Sequence, residues 1–231
     1  MQRQFKFCRE FEWRWEDTPT RVHDRCNSCE RFFARCCRSS AGDVSACHGH
    51  PLVFVDGSCL ANGQHNARSG IGFAIGDNAL DQVSLSVTNN MDPLDLSRPR
   101  TSQRAELLAA IHGLRTLINA TLNENGCQPI RCLHMGPDLT SEWVVVADSQ
   151  YVVKGITEWV PQWKENNWRT SQGELPTNFD LFKCLDDVVT EYERGGFTIR
   201  FLHVPRELNT LADRLAKHAA DSAVAVFTLG L

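Results

Sequence analysis

A chain of 231 residues with 42% hydrophobic and 23% charged side chains suits one catalytic-size globular domain with a real core and a smaller appendage. No stretch approaches the ~18 apolar residues of a membrane span, and residues 1–15 lack the apolar block of a secretory leader, so no membrane partner is expected. The net charge of −4 splits into +2 over residues 1–50 (nine Lys/Arg, seven Asp/Glu) and −6 beyond (fifteen against twenty-one); acidity of this kind does not favour a phosphate-backbone partner, but excludes none if the acids hold cations.

Residues 1–50 are Cys- and Arg-rich and show no sustained hydrophobic period. Six of the ten cysteines lie here: Cys8, Cys26, Cys29, Cys36, Cys37 and Cys47. Without a secretory leader, metal ligation or reduced thiols are the expected states rather than a disulfide framework. Cys26-x₂-Cys29 followed by Cys36 or Cys37, and by Cys47, His48 or His50, has zinc-type spacing, with Cys26, Cys29, Cys37 and Cys47 as the candidate Zn²⁺ ligands. Packed, reduced thiols in a short appendage are the alternative. Arg25, Arg31, Arg35 and Arg38 interleave with Phe32 and Phe33, as on a nucleic-acid contact or a solvated basic face.

Residues 51–222 carry alternating strand and helix signals. The run 51–55 reads as a buried strand ended by an Asp56-Gly57 turn. Residues 70–76 alternate apolar residues with Gly or Ala, as a tightly packed strand would, and 82–88 alternate polar with apolar; the three suggest an antiparallel meander. Residues 91–100, with Pro93 and Pro99, form a loop. Helical spacing runs from 101 to 120, with Leu107, Leu108, Ile111, Leu114, Leu117 and Ile118 on one stripe and Thr101 or Ser102 as cap. After a long connection (121–141), 143–147 is a strand ending at Asp148. Then 149–159 and 178–192 read as helices, 197–204 as a strand, and 207–220 as a last helix. Pro161 is expected to interrupt the helical stretch around it. The fold class is α/β: a mixed five-stranded sheet, three antiparallel strands then parallel ones, with helices packed on it. Residues 223–231 are a short apolar tail.

Asp56 and Asp148 sit where strands end; Glu106 and Asp213 sit on the first and last helices. Taken singly, each is a solvated acid at the end of an element. Taken together, four carboxylates in one place oppose joint ionisation unless cations join them, and oxygen-only ligands suit Mg²⁺.

Four stretches settle which reading applies: Asp56-Gly-Ser-Cys59 with Asn62-Gly63, Thr101-Ser-Gln-Arg-Ala-Glu106, Asp148-Ser-Gln-Tyr151, and Asn209-Thr-Leu-Ala-Asp213. In this order they resemble the successive motifs of the ribonuclease H family over roughly residues 52–220. Trp159-x₃-Trp163-Lys164-x₃-Trp168-Arg169, followed by Asn178, resembles the substrate-binding handle of the family's cellular type 1. A Cys-rich lead before such a domain is similar to ribonuclease H-like proteins of filamentous fungi. A monomer is expected, and the resemblance implies the family's fold with Asp56, Glu106, Asp148 and Asp213 holding two Mg²⁺ ions, Mn²⁺ being the other suitable cation. It implies hydrolysis of the RNA strand of an RNA–DNA hybrid, leaving 5′-phosphate and 3′-hydroxyl ends. Cys59, Asn62, Ser102 and Gln103 match positions that meet the hybrid's minor groove, where 2′-hydroxyls distinguish RNA. Trp159, Trp163 and Trp168 fit handle packing, one indole facing a DNA sugar; Lys164 and Arg169 would meet DNA phosphates, Thr101 with Asn178 would hold another, and Asn209 joins the substrate-binding set.

The sequence departs from the family between its last strand and last helix. Many members have a flexible loop there with a histidine that assists product release. Here His203 and Asn209 are joined by five residues, and Val204-Pro205 align best with a shortened loop, which places His203 on the strand as a structural residue or partial substitute for that histidine. A catalytically silent hybrid- or RNA-binding module, and a retroelement-derived ribonuclease H domain, are the competing readings; all four carboxylates being present opposes the first. An intracellular location is expected, nucleus or cytoplasm. Arg3, Lys6, Arg9 and Arg14 keep a mitochondrial address open, though Glu10, Glu12, Glu16 and Asp17 oppose it.

Overall fold

The computed structural model describes residues 3–7, 22–35, 49–92, 100–122 and 142–223. A two-stranded hairpin, β1 (His23–Arg25) and β2 (Phe32–Ala34), precedes β3 (Leu52–Leu60), β4 (Arg68–Ala74), β5 (Gln82–Ser86), α1 (Ser102–Leu122) and β6 (Glu142–Ala147). Then follow α2 (Gln150–Lys154), a π-helical turn (Gly155–Trp159), α3 (Val160–Glu165), α4 (Phe179–Arg194), β7 (Thr198–His203) and α5 (Thr210–Ser222). The main sheet has the order β5-β4-β3-β6-β7. β3, β4 and β5 pair antiparallel, whereas β3, β6 and β7 pair parallel, as the sequence predicts.

Both faces of this sheet are covered, which is why β3 and β6 read as unbroken apolar runs. Along β3, Val53 and Val55 point to the larger core with α1 and α4; Leu52 and Phe54 point to the other, with Ala212 of α5. β6 alternates in the same way, Val145 and Ala147 one way, Val144 and Val146 the other. The glycines of β4 let α5 lie directly on the sheet. A Cβ on Gly72 would stand 2.3 Å from the Ala216 nitrogen, and one on Gly70 2.3 Å from that of Ala220, so any larger residue there would push the last helix away.

Asp56-Gly57 is not the turn expected. β3 runs through it to Leu60, with Asp56 opposite Gly72 and Gly57 opposite Ile71. Gly57 serves close packing instead: a Cβ there would lie 2.2 Å from the Ala105 carbonyl carbon and the Glu106 nitrogen, so its absence lets α1 bring Glu106 down beside Asp56. Pro161 does not break the helical stretch either. The turn before it widens to π geometry, with the Val160 N–H reaching back to the Gly155 carbonyl, and α3 continues through the proline to Glu165. A locally widened turn is the usual accommodation where the i→i−4 ladder loses a bond.

The N-terminal stretches pack on the same sheet. The Phe32 N–H bonds to Ile75 and the Ala34 N–H to His50, at 2.8 Å each, while Phe5, Val22, Phe32 and Ala34 join the smaller core with Leu52 and Phe54. Residues 3–7 run parallel to β7 (Gln4 opposite Phe201); the Phe5 N–H bonds to the Phe201 carbonyl at 2.9 Å and the Phe201 N–H to the Arg3 carbonyl at 2.8 Å. No helix among the described residues is long and apolar enough to cross a membrane.

Candidate active site

Asp56 and Asp148 come together because their strands are parallel neighbours. The β3–β6 pairing covers Leu52–Phe54 against Val144–Val146, and each aspartate follows at the same end. Glu106 arrives from the first turns of α1. One carboxylate oxygen from each of Asp56, Glu106 and Asp148 lies within 4.8 Å of the other two.

Asp56 and Glu106, close to each other and to Asp148 and shielded from water, resist ionisation. Burial, then Asp148 and Asp213, push the Asp56 carboxyl up to about 7, with Arg206 pulling the other way. Burial, then Asp56 and Asp148, hold Glu106 well above the usual carboxylate range, partly offset by the Gly57 N–H and by Arg206. The Glu106 Oε2 is buried without a hydrogen-bond partner in the structure. An orphaned carboxylate oxygen beside two further acids is what a hard divalent cation would satisfy, so the residues fit Mg²⁺ or Mn²⁺.

Asp213 stands at the edge of this group. It lies in the first turn of α5, near enough to act on Asp56, but its oxygens accept from Arg206 Nη2 at 2.6 Å and Lys217 Nζ at 2.7 Å. Although burial pushes the other way, these two cations hold its carboxyl below the ordinary range. Neither cation was singled out by the sequence reading. Lys217 was findable, four residues after Asp213 on one helix face; Arg206 depends on the turn Arg206–Leu208 that links β7 to α5.

Asn209, expected in the substrate-binding set, is 1% exposed. Its Nδ2 donates to the Val55 carbonyl and to Asp148 Oδ1, both at 3.0 Å. It therefore fixes Asp148 from behind, rather than facing a groove. His203 closes β7 opposite Ala147 and is exposed, in the strand position that the short-link reading gave it.

The expected minor-groove residues cluster where the β3–β4 turn meets α1. Asn62 Oδ1 caps the helix by accepting from the Ser102 N–H at 3.1 Å, Gly63 N–H bonds to the Arg100 carbonyl at 3.0 Å, and the Cys59 thiol donates to that carbonyl at 3.5 Å. Gln103 is exposed beside them. Thr101 and Asn178 meet around Arg104: Thr101 Oγ1 accepts from its backbone N–H at 3.4 Å and Asn178 Oδ1 from its guanidinium at 3.4 Å. Arg104 is itself clamped between Asp92 and Asp180, at 2.5 and 2.6 Å.

In the handle the indoles are committed to packing. Trp163 meets Phe182 edge-on at 5.3 Å between centroids, Trp159 tilts against Trp163 at 6.0 Å, and Trp168 meets Phe179 at 5.3 Å. Lys164 does not project freely toward a phosphate; its Nζ lies 2.8 Å from Asp186. Arg169 donates to the Gly173 carbonyl at 3.1 Å and is exposed. Of the candidate zinc ligands, Cys37 and Cys47 (with Cys36 and His48) lie outside the described residues. His50 is buried, its ring edge-on to Phe5 and its Nδ1 3.6 Å from Glu142.

A five-stranded mixed sheet with one acid within its central strand β3, a second just past the end of the neighbouring β6, and a further acid on a helix across each face, defines the ribonuclease H-like class. Comparison with known proteins gives the family. The RNase H family model matches residues 49–221. The chain is 31% identical to mouse Ribonuclease H1 over 173 residues, covering 73% of this chain and 50% of that protein. It is 31% identical to Ribonuclease H of Schizosaccharomyces pombe over 186 residues, 76% of this chain and 54% of the relative. Among solved structures, foamy viral protease-reverse transcriptase in complex with RNA/DNA hybrid shares the fold at TM-score 0.51 and 19% identity, over 73% of this chain and 20% of that one. The chain belongs to the ribonuclease H family, in its type 1-like, cellular branch, and spans about half the length of the curated relatives it matches.

Proposed function

We propose that this chain hydrolyses the RNA strand of RNA–DNA hybrids, leaving 5′-phosphate and 3′-hydroxyl ends. The observation that carries the reading is the approach of Asp56, Glu106 and Asp148 oxygens within 4.8 Å, with Asp213 at the rim. Asp56, Glu106 and Asp148, with Asp213 at the rim, would hold divalent cations, whose chemistry would be to activate a water and stabilise charge on the leaving 3′ oxygen. The protein's own part is placement: the parallel β3–β6 pair sets the spacing of Asp56 and Asp148, Gly57 admits Glu106, and Asn209 holds Asp148. Cys59, Asn62, Ser102 and Gln103, gathered at one helix start, would read the minor groove, and the handle would hold the DNA strand.

The test is a labelled hybrid incubated beside duplex DNA, duplex RNA and single-stranded RNA with Mg²⁺, Mn²⁺ or EDTA. Cleavage of the hybrid alone, abolished by EDTA and by Asp56→Asn, is expected. Folded protein that leaves the hybrid intact with either metal would point to the silent binding module instead.

We also propose a structural Zn²⁺ in the Cys-rich lead. What supports it is the hairpin tip: the Ser28 and Cys29 N–H groups both point at Cys26 Sγ, at 3.3 and 3.5 Å, and paired amide donors at a tight turn favour a thiolate there. Elemental analysis of protein purified without chelator should give one zinc per chain, lost in Cys26→Ser. Folded, metal-free protein would overturn this reading.

A further inference from the structure

Asp186 is a buried carboxylate on α4, 2% exposed, yet it has two cations. Arg3 Nη1 lies 2.6 Å from its Oδ1 and Lys164 Nζ 2.8 Å from its Oδ2. Arg3 is the fixed partner. Its side chain is 9% exposed; it also donates to Glu193 at 2.9 and 3.3 Å and to Thr190 Oγ1 at 3.2 Å. Its backbone is held against Phe201 of β7. Lys164, at 43% exposure, ends a flexible side chain on α3 and has no second ion pair among the described residues. The four groups Arg3, Lys164, Asp186 and Glu193 sum to zero charge, with one member able to leave.

We infer that Arg3 is a positioning residue for Lys164: by neutralising Asp186 it releases the handle lysine to a nucleic-acid phosphate. A buried carboxylate stripped of every cation is strongly disfavoured. With Arg3 in place, Lys164 can exchange Asp186 for a phosphate while Asp186 stays paired. Without Arg3, Lys164 is the last cation on Asp186 and is held there. A segment more than 150 positions away in the chain thus sets whether the handle has a usable positive charge. This rests on the hybrid as substrate, argued above.

The experiment measures affinity for an RNA–DNA hybrid by fluorescence anisotropy against salt concentration, in an Asp56→Asn background that cannot cut. Lys164→Met should weaken binding about three- to tenfold and lower the log–log salt slope by about one, as loss of one phosphate contact does. Arg3→Met should reproduce both effects and add nothing to Lys164→Met. Adding Asp186→Asn to Arg3→Met should restore affinity and slope, because Lys164 is then released. Arg3→Lys, which keeps a cation on Asp186 and guards against a fold that tolerates no neutral residue at position 3, should retain the parent's slope. Parent-like affinity and slope in Arg3→Met, or failure of Asp186→Asn to rescue, would overturn the inference while leaving hybrid binding intact. A parent protein that binds no hybrid would overturn the functional reading along with it.

Discussion

The carboxylate cluster should make the metal-free protein less stable than its fold permits, and Asp56→Asn should expose how much. Inside the fold the Asp56 carboxyl is pushed from 3.8 up to about 7, first by burial and then by Asp148 and Asp213. A carboxyl whose folded value lies above its unfolded value binds its proton more tightly when folded. Stability from this group is therefore full below pH ~4, falls as pH rises to about 7, and stays low above that. About three units at ~1.4 kcal/mol each give roughly 4 kcal/mol as an upper bound. Because the burden is shared with Glu106, about 2–4 kcal/mol is expected from one substitution, or ~4–16 °C in Tm for a domain of this size. Asn keeps the shape and removes the charge. Thermal unfolding followed by circular dichroism, in EDTA, should show Asp56→Asn melting above the parent at pH 8 and the two converging toward pH 4.5. Adding Mg²⁺ should raise the parent far more than the variant, since ligand binding to the folded state stabilises it. A gap of the same size at both pH values, or a variant that melts no higher than the parent at pH 8, would refute the reasoning.

Three further outcomes follow from the same site. Asn209→Ala removes two hydrogen bonds at 3.0 Å, one buried and one half-buried, and should cost about 1–3 kcal/mol in denaturant unfolding; because Asp148 loses its anchor, hybrid cleavage should fall about 100-fold even where the protein remains folded. Arg206→Met frees Asp213 from a competing cation 2.6 Å away, so the Mg²⁺ concentration for half-maximal cleavage should drop about two- to fivefold, the scale of an exposed ion pair; an increase would mean that Arg206 helps to assemble the metal site. His203→Ala should retain cleavage within a few-fold, since the short link leaves His203 on the strand, and a loss as complete as that of Asp56→Asn would show it to be essential.

Much of this molecule was legible in the sequence because its central strands obey strong local rules. β3 up to Asp56 and β6 up to Asp148 are apolar on both faces, and α1 carries one long stripe of Leu and Ile. The Gly-alternating run before residue 76 announced close packing, and α5 does lie directly on it. Legibility failed where the determining neighbour is distant in sequence. Asp56-Gly57 looks like a turn to any local reading, because only the backbone of α1 explains the glycine. Pro161 looks like a stop until the π turn before it is seen. Lys164 looks like a free cation, since nothing nearby in sequence reveals Asp186. Strands β1 and β2 have three residues each, too few to show a period, and they are held to the sheet by His23 and Phe32 meeting Phe54. The four carboxylates were found as a set by motif order, yet that order does not say that Asp213 would be drawn aside by Arg206 and Lys217.

The extended segment 3–7, bridged to β7 at Gln4, also bears on how the fold closes. Arg3 and Glu193 are 190 positions apart, and Phe5 bonds to Phe201, so this segment can pair only once β7, the last strand of the sheet in chain order, is in place. Closing so long a loop is slow, and until it closes the outer rim of β7 presents unpaired amides and carbonyls to any passing extended chain. A partly unfolded molecule is therefore open to mispairing at β7, where two molecules could trade their 3–7 segments and emerge as an interlocked pair.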